Sequence, residues 1–327
     1  RPEPAGLRLP GHGFLPLIFC KQKVSMSALI CGSLAFDTIM SFEGKFANQI
    51  LPEQLHILNV SFLVPSLRRD FGGCAGNIAY SLKLLGGKPL PMATVGEDGA
   101  AYLARLKSLD IDTRFVKQLD DSYTAQAMIM TAKDNNQITA FHPGAMAEAH
   151  VNVIDGSEGA AIGIVSPDGR DAMIQHAAQF KAAGIPFVFD PGQGLPMFNG
   201  EELLAFVEQA TWITVNDYEG KMLCDRTGLD LAALSMKVKG LVVTLGEQGC
   251  EVWEQGSKTL VAPVKAKEVV DPTGCGDAWR GALLYGLEQG WSLPKCAALG
   301  NRVGALKVAA KGPQNYVLDF DPATFEA

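Results

Sequence analysis

Residues 271–277 read Asp-Pro-Thr-Gly-Cys-Gly-Asp and run directly into Ala-Trp-Arg-Gly-Ala-Leu-Leu-Tyr-Gly at 278–286. A glycine-rich turn that ends in a carboxylate therefore opens an apolar helical stretch. Gly274 and Gly276 permit backbone conformations closed to other residues, so successive N–H groups can converge on one anion, and the helix adds the positive end of its dipole. Asp277 then stands where a phosphate would arrive. A carboxylate is unwelcome there unless it has chemical work, and the natural work is to accept a proton from an attacking hydroxyl. The competing reading is structural: Asp277 caps a core helix and the glycines serve a tight turn.

Further segments upstream have related character. Phe71-Gly-Gly-Cys-Ala-Gly-Asn77 precedes a helix over 76–85, and its glycine pair and amide can approach a polyhydroxyl ligand, or simply start a helix. Asp37 follows the first strand and faces the same end, as an acceptor for paired hydroxyls or as a turn residue. Thr214-Val-Asn-Asp-Tyr-Glu219 sets Asn216 and Glu219 three residues apart on one helix face. That spacing suits a water-coordinated Mg2+ near phosphates, and equally a capping box. Val243-Thr-Leu-Gly-Glu-Gln-Gly249 ends an apolar strand with the Thr244 hydroxyl and with Gly246 and Gly249, as a phosphate loop could. Neither a P-loop nor a dinucleotide-binding glycine fingerprint occurs in the chain.

The bulk properties narrow the classes. The 327 residues are 47% hydrophobic and 19% charged, enough to bury a large α/β core. A net charge of −7 offers no basic field, which excludes nucleic acid or an anionic membrane as the main partner. The seven cysteines (20, 31, 74, 224, 250, 275 and 296) include no C-x-x-C pair; this argues against a disulfide framework or zinc site and suits a reducing cytoplasm. Cys275 lies inside the cradle and contributes chiefly its backbone N–H. Residues 1–25, rich in Pro and Gly, read as a leader or an extension added for expression; their apolar run at 14–20 lacks the flanks of a secretory signal. No stretch reaches the roughly 18 apolar residues of a membrane span.

Short apolar runs at 27–33, 89–96, 161–166, 186–190, 211–216 and 240–246 alternate with helical patterns at 76–85, 99–109, 170–183, 201–209, 217–224 and 229–237. Such alternation predicts a parallel sheet covered on both faces. Two regions break it. Residues 37–71 carry runs at 39–46 and 60–67, and residues 114–143 carry runs around Phe115, Met128 and Ile138, with the alternation of strands solvated on one face. They predict a second, small sheet, hinged near Asp37 and Gly72, over the strand ends where open α/β sheets bind ligands.

Taken in order, Gly32-Ser33 with Asp37, Gly72-Gly73 with Asn77, Asn216 with Glu219, Thr244 with Gly246 and Gly249, and the 271–277 motif resemble the ribokinase/PfkB carbohydrate kinase superfamily over residues 26–316. The long 37–71 excursion is more like that of bacterial and archaeal adenosine or nucleoside kinases than that of compact ribokinases. The resemblance implies a ribokinase-like three-layer α/β sandwich at 26–327, with a mostly parallel central sheet and a β-sheet lid from about 38–71 and 113–143. It implies ATP-dependent phosphorylation of a hydroxyl, with Asp277 as general base and the backbone of Gly274, Cys275 and Gly276 as anion hole. By the same resemblance Asp37, Gly72, Gly73 and Asn77 bind substrate hydroxyls. Asn216 and Glu219 organise Mg2+ and phosphates, Thr244, Gly246 and Gly249 contact ATP, and Asn301 borders the adenine. Asp271 and Thr273, with backbone near Gly312, correspond to a monovalent-cation (K+) site of many members.

The acceptor implied is the 5′-hydroxyl of a purine nucleoside, with a free sugar such as ribose, fructose or a keto-sugar acid as the alternative. Phe42, Phe46, Phe62, Met128 and Phe141 are candidates either to cover a flat heterocycle or to fill the lid core. Arg68 and Arg69 could receive a sugar phosphate, but neighbours on a strand point to opposite faces, so one at most reaches the site. Asp190 and Gln193 end another strand toward the phosphates. Lid strands pair between subunits in some members and are capped within one in others, so monomer and homodimer both fit.

Overall fold

The computed structural model describes residues 27–50, 56–57, 59–134 and 136–326. The expected leader at 1–25, with Cys20, lies outside them. Among the described residues no helix is long and apolar enough to cross a membrane. The strands are β1 (Ser27–Cys31), β2 (Ala35–Phe42), β3 (Ser66–Gly72), β4 (Lys88–Val95), β5 (Val116–Gln118), β6 (Ala125–Ala132), β7 (Gln137–His142), β8 (Ala160–Val165), β9 (Phe187–Phe189), β10 (Trp212–Asn216), β11 (Gly240–Thr244), β12 (Cys250–Glu254) and β13 (Ser257–Val261). The helices are α1 (Cys74–Leu84), α2 (Ala100–Ser108), α3 (Arg170–Ala183), α4 (Gly200–Gln209), α5 (Asp217–Thr227), α6 (Leu231–Ser235), α7 (Cys275–Glu288) and α8 (Leu293–Val308).

Continuous apolar runs such as Ser27–Cys31 form strands because both of their faces can be buried, and the sheet does bury both. Its order is β13-β12-β11-β10-β9-β8-β1-β4-β5, parallel from β11 to β5, with β12 and β13 antiparallel at one edge. Along β1 the side chains alternate between two cores. Ala28 and Ile30 pack with α1, α2, α7 and α8; Leu29 and Cys31 pack with α3 to α6. The result is the expected three-layer sandwich.

The second sheet, in order β3-β2-β6-β7, carries its own aromatic core: the rings of Phe42, Phe46 and Phe62 lie 5.1 to 5.7 Å apart, centroid to centroid. These three therefore fill the core of the small sheet rather than face a ligand. The run at 60–67 does not make a strand where expected. Phe62 and Val64 turn into that aromatic core, and the chain enters the sheet only at Ser66. The run near Phe115 also departs from expectation: β5 pairs with β4 at the edge of the large sheet and contributes nothing to the small one. The β12–β13 hairpin has no signal of the Asn-Gly kind, yet its turn residues Gln255 and Gly256 both take positive φ, as a two-residue hairpin turn demands.

Candidate active site

Two helix N-termini meet at the strand ends. A Cβ on Gly281 would stand 2.6 Å from the Ser81 Cβ and 2.9 Å from the Ile78 carbonyl oxygen, so this glycine sets how closely α7 lies on α1. The approach brings Asn77, in the first turn of α1, to Asp277, in the first turn of α7: Asn77 Nδ2 donates to Asp277 Oδ2 at 2.8 Å. The amide is oriented by Gln314, whose Nε2 donates to Asn77 Oδ1 at 3.1 Å and to the Tyr102 hydroxyl at 3.0 Å. Tyr102 in turn donates to the Gly72 carbonyl at 2.5 Å. Neither Gln314 nor Tyr102 stands out in the sequence; a lone Gln 237 residues from its partner carries no local signal.

Gly274 precedes α7 at φ +78°, a left-handed conformation that a Cβ would strain, and that Cβ would also meet Pro313 at 2.6 Å. The first N–H groups of a helix have no partner within it. Here the Cys275 N–H turns back onto the Pro272 carbonyl at 3.1 Å, and Gly276 and Asp277 supply the next N–H groups of the first turn. The Cys275 thiol is pushed up to about 11 by burial, so it stays protonated at neutral pH. Burial raises the Asp277 carboxyl above its ordinary value, against the lowering effect of the Asn77 amide and the Arg280 charge. A half-buried carboxylate with a raised pKa is a better proton acceptor than an exposed one.

Arg280, one turn beyond Asp277, has no counterpart among the residues expected from the sequence. It forms a buried two-pronged pair with Asp190, at 2.5 Å (Nε to Oδ2) and 2.7 Å, and lies 3.8 Å from Glu219. Gly276 makes room for it, because a Cβ there would stand 2.8 Å from an Arg280 nitrogen. Arg280 thus ties the helix that carries Asp277 to the ends of β9 and α5. The capping-box reading of Asn216 and Glu219 is what the structure shows, with bonds of 2.7 and 2.8 Å, and the Glu219 carboxylate also lies beside Arg280. Among the described residues no three potential ligands gather around a metal position. With so few protein ligands, a Mg2+ here would have to be held mainly by phosphate oxygens and water, beside Glu219.

The residues expected to contact the nucleotide take several different places. Thr244 pairs with Asn216 on neighbouring strands, at the same end of the sheet. Gly246 has φ +57° and open space where a Cβ would project. Gly249 plays a different, structural part, because a Cβ there would meet the Val261 carbonyl at 2.3 Å; its glycine serves the close passage of β13. Asn301 accepts from the Trp279 indole at 3.1 Å and donates to the Ala262 carbonyl at 2.9 Å, so its amide ties α7 to the loop after β13.

On the lid side, Asp37 packs so tightly under Gly72 that a Cβ there would meet its carboxylate at 2.3 Å. Burial first, then the charges of Asp70, Asp277 and Asp271, raise the Asp37 carboxyl from 3.8 to about 6. Cross-strand pairing of Asp37 with Ala127, and of Ala127 with Phe141, places Phe141 on the Asp37 face, with its ring 54% exposed. Met128 pairs with Thr38 and lies on the opposite face, away from Asp37. Gly73, at φ +84°, lets α1 start against the backbone of Ser33 and Ala35. Of the two arginines, Arg68 reaches inward to Asp70 and Asp271, both at 3.1 Å, while Arg69 lies over the Phe36 ring and binds Asp98.

Asp271, Thr273 and Gly312 do come together, but not as free oxygens awaiting a metal. Asp271 Oδ1 accepts from the Thr273 N–H at 2.9 Å, and Oδ2 accepts from the Gly312 N–H at 2.9 Å and from Arg68. The Asp271 carbonyl accepts from the Lys307 ammonium at 2.7 Å. The set does not fit a bound K+.

A desolvated carboxylate at a helix N-terminus, close to a small second sheet and at the carboxyl ends of parallel strands, has the makings of a phosphotransferase acting on a hydroxyl. The sequence matches the model of the pfkB family of carbohydrate kinases over residues 44–319, and the chain belongs to that family of ATP-dependent kinases. It is 32% identical over 300 residues to a nucleoside kinase of Methanocaldococcus jannaschii, covering 90% of this chain and 95% of that one. The structure of a Burkholderia thailandensis nucleoside kinase in complex with inosine is 49% identical, covers 89% of this chain and 93% of its own, and superposes with a TM-score of 0.80. The same enzyme in complex with ADP-inosine is 50% identical, with coverage of 89% and 92% and a TM-score of 0.78.

Proposed function

We propose that the protein transfers the γ-phosphoryl group of ATP to the 5′-hydroxyl of a purine nucleoside. The observation that carries the choice of acceptor is the 49% identity, over nine-tenths of the chain, to a nucleoside kinase whose structure contains inosine. The site is in keeping with it. Asp37 accepts hydrogen bonds from the ribose diol, and Asn77 and the backbone at Gly72 and Gly73 fix the sugar beside Asp277. Phe141, exposed on the Asp37 face, offers a ring on which a heterocycle can lie. Arg68, the one arginine turned inward, is already neutralised by Asp70 and Asp271, which disfavours a sugar phosphate as acceptor.

In the reaction Asp277 takes the 5′-hydroxyl proton as that oxygen forms its bond to the γ-phosphorus and the bond to the β,γ-bridging oxygen breaks, releasing ADP. The Gly276 and Asp277 N–H groups and the α7 dipole stabilise charge on the transferred group. Thr244 and Gly246 position the donor phosphates. Mg2+ bound with ATP would neutralise phosphate charge, and Glu219 would hold its water. Closure of the lid excludes competing water. Free cysteines suit a cytoplasmic location.

The test is ADP release with inosine, adenosine, ribose and fructose at matched ATP. A purine nucleoside is expected to exceed either sugar in kcat/KM by about 100-fold or more, since the base adds binding that a free sugar lacks. Equal or better turnover of ribose or fructose would reverse the assignment.

A further inference from the structure

Lys307, in the last turn of α8, is 0% exposed, an environment in which lysine is rare without a partner. Its Nζ donates to two backbone carbonyls, Asp271 at 2.7 Å and Ala310 at 3.2 Å. One lies at the start of the turn that forms the anion cradle, and the other in the segment after α8 that leads to Gly312 and Gln314. Converging carbonyl oxygens from two loops beside a carboxylate are what a bound monovalent cation would use. Here that place is taken by a cation on the chain itself. The Asp271 carboxylate is served by the N–H groups of Gly312 and Thr273 and by Arg68.

We propose that Lys307 is a built-in replacement for a monovalent cation, holding the anion-cradle turn to the segment after α8, so that phosphoryl transfer by this protein needs no K+. The ammonium is a positioning group. It ties down the carbonyl of Asp271, whose carboxylate in turn holds the N–H groups of Thr273 and Gly312, and so presets the loop that ends in Gly274 and Asp277. A tethered cation is always at hand and loses little freedom on taking its place, whereas a free ion must be bound from solution. The inference holds for whichever hydroxyl accepts the phosphoryl group.

The test compares the wild-type protein with Lys307→Ala in buffers whose only other monovalent cation is tetramethylammonium, with KCl or LiCl added. Wild-type kcat is expected to change by less than about twofold with K+, while the variant, with buried carbonyls left unpaired, loses about 10- to 100-fold and recovers with K+ but not Li+. A readout independent of turnover is the melting temperature: K+ is expected to raise that of Lys307→Ala and leave the wild type unchanged. The melting temperature also separates this inference from the choice of acceptor, since it needs no substrate. Stimulation of wild-type kcat by K+ of about tenfold or more would overturn the proposal. So would a folded variant that is fully active without K+, or one that K+ neither stabilises nor rescues. Should Lys307→Ala fail to fold, the wild-type K+ titration decides alone.

Discussion

Replacing Asp277 with Asn separates the chemistry of the site from its architecture. The amide is isosteric, and its oxygen can keep the 2.8 Å bond that Asp277 Oδ2 now accepts from Asn77. The fold should therefore survive. What is lost is the proton acceptor, worth about 10²- to 10⁴-fold in kcat, or about 3 to 5 kcal/mol of transition-state stabilisation. Stability should move the other way. Burial raises the Asp277 pKa in the folded state, so ionising it at neutral pH works against folding. The stability associated with its protonated form is present below the unfolded value of 3.8 and disappears as pH climbs through the raised folded value. A neutral amide escapes this, and Asp277→Asn should melt at the same temperature as wild type at low pH and at an equal or higher one at pH 8. The assays are coupled detection of ADP for kcat and thermal melts at both pH values. Retention of kcat within about tenfold, or a melting temperature well below wild type at pH 8, would refute the assignment of a desolvated base.

Two other perturbations probe the supports of the base. Asp37→Asn should raise KM for the acceptor, and wild-type KM should itself rise as pH falls through about 6 and the carboxylate becomes protonated. The wild-type Asp37 penalty appears as pH rises from 3.8 through about 6, so the variant's gain in stability should be full above that range. A rise of that size corresponds to at most ~3 kcal/mol at ~1.4 kcal/mol per pKa unit, read from melts between pH 4 and 8. Arg280→Met should lower stability by about 3–5 kcal/mol in denaturant unfolding, because it strands the buried Asp190, and the double variant with Asp190→Asn should recover much of that. Its acid limb of kcat/KM should also move to higher pH, since Arg280 lowers the Asp277 pKa; an unmoved limb would show that the two groups are uncoupled.

Where a residue's role is written in its immediate neighbours, the chain announces it. The strands β1, β8 and β10 are apolar runs because both faces are covered, and α3 begins and ends at the expected residues, closing on Gly184 in a left-handed conformation. The 271–277 motif is legible for the same reason: glycine, helix start and carboxylate are adjacent. Expectation and structure part where a short segment can satisfy its apolar side chains in more than one way. Residues 60–67 alternate like a strand, yet Phe62 and Val64 serve an aromatic cluster instead. Three residues of β5 suffice to join the large sheet because Ala93 to Val95 present an open edge to them.

The sequence alone determined the layered α/β architecture, the glycine turn that opens α7 with Asp277 in its first turn, and the set of polar residues that gather at one end of the sheet, since local periodicity and glycine placement suffice for each. Tertiary structure alone decided who holds that set in place. Gln314 orients Asn77 across 237 residues, Arg280 joins Asp190 to the helix of Asp277, Arg68 spans from the lid to Asp271, and Lys307 fills the cradle's cation position. The physical reason is shared. A buried charge or amide must find a partner of matching geometry wherever the fold supplies one, and sequence distance says nothing of which one that will be.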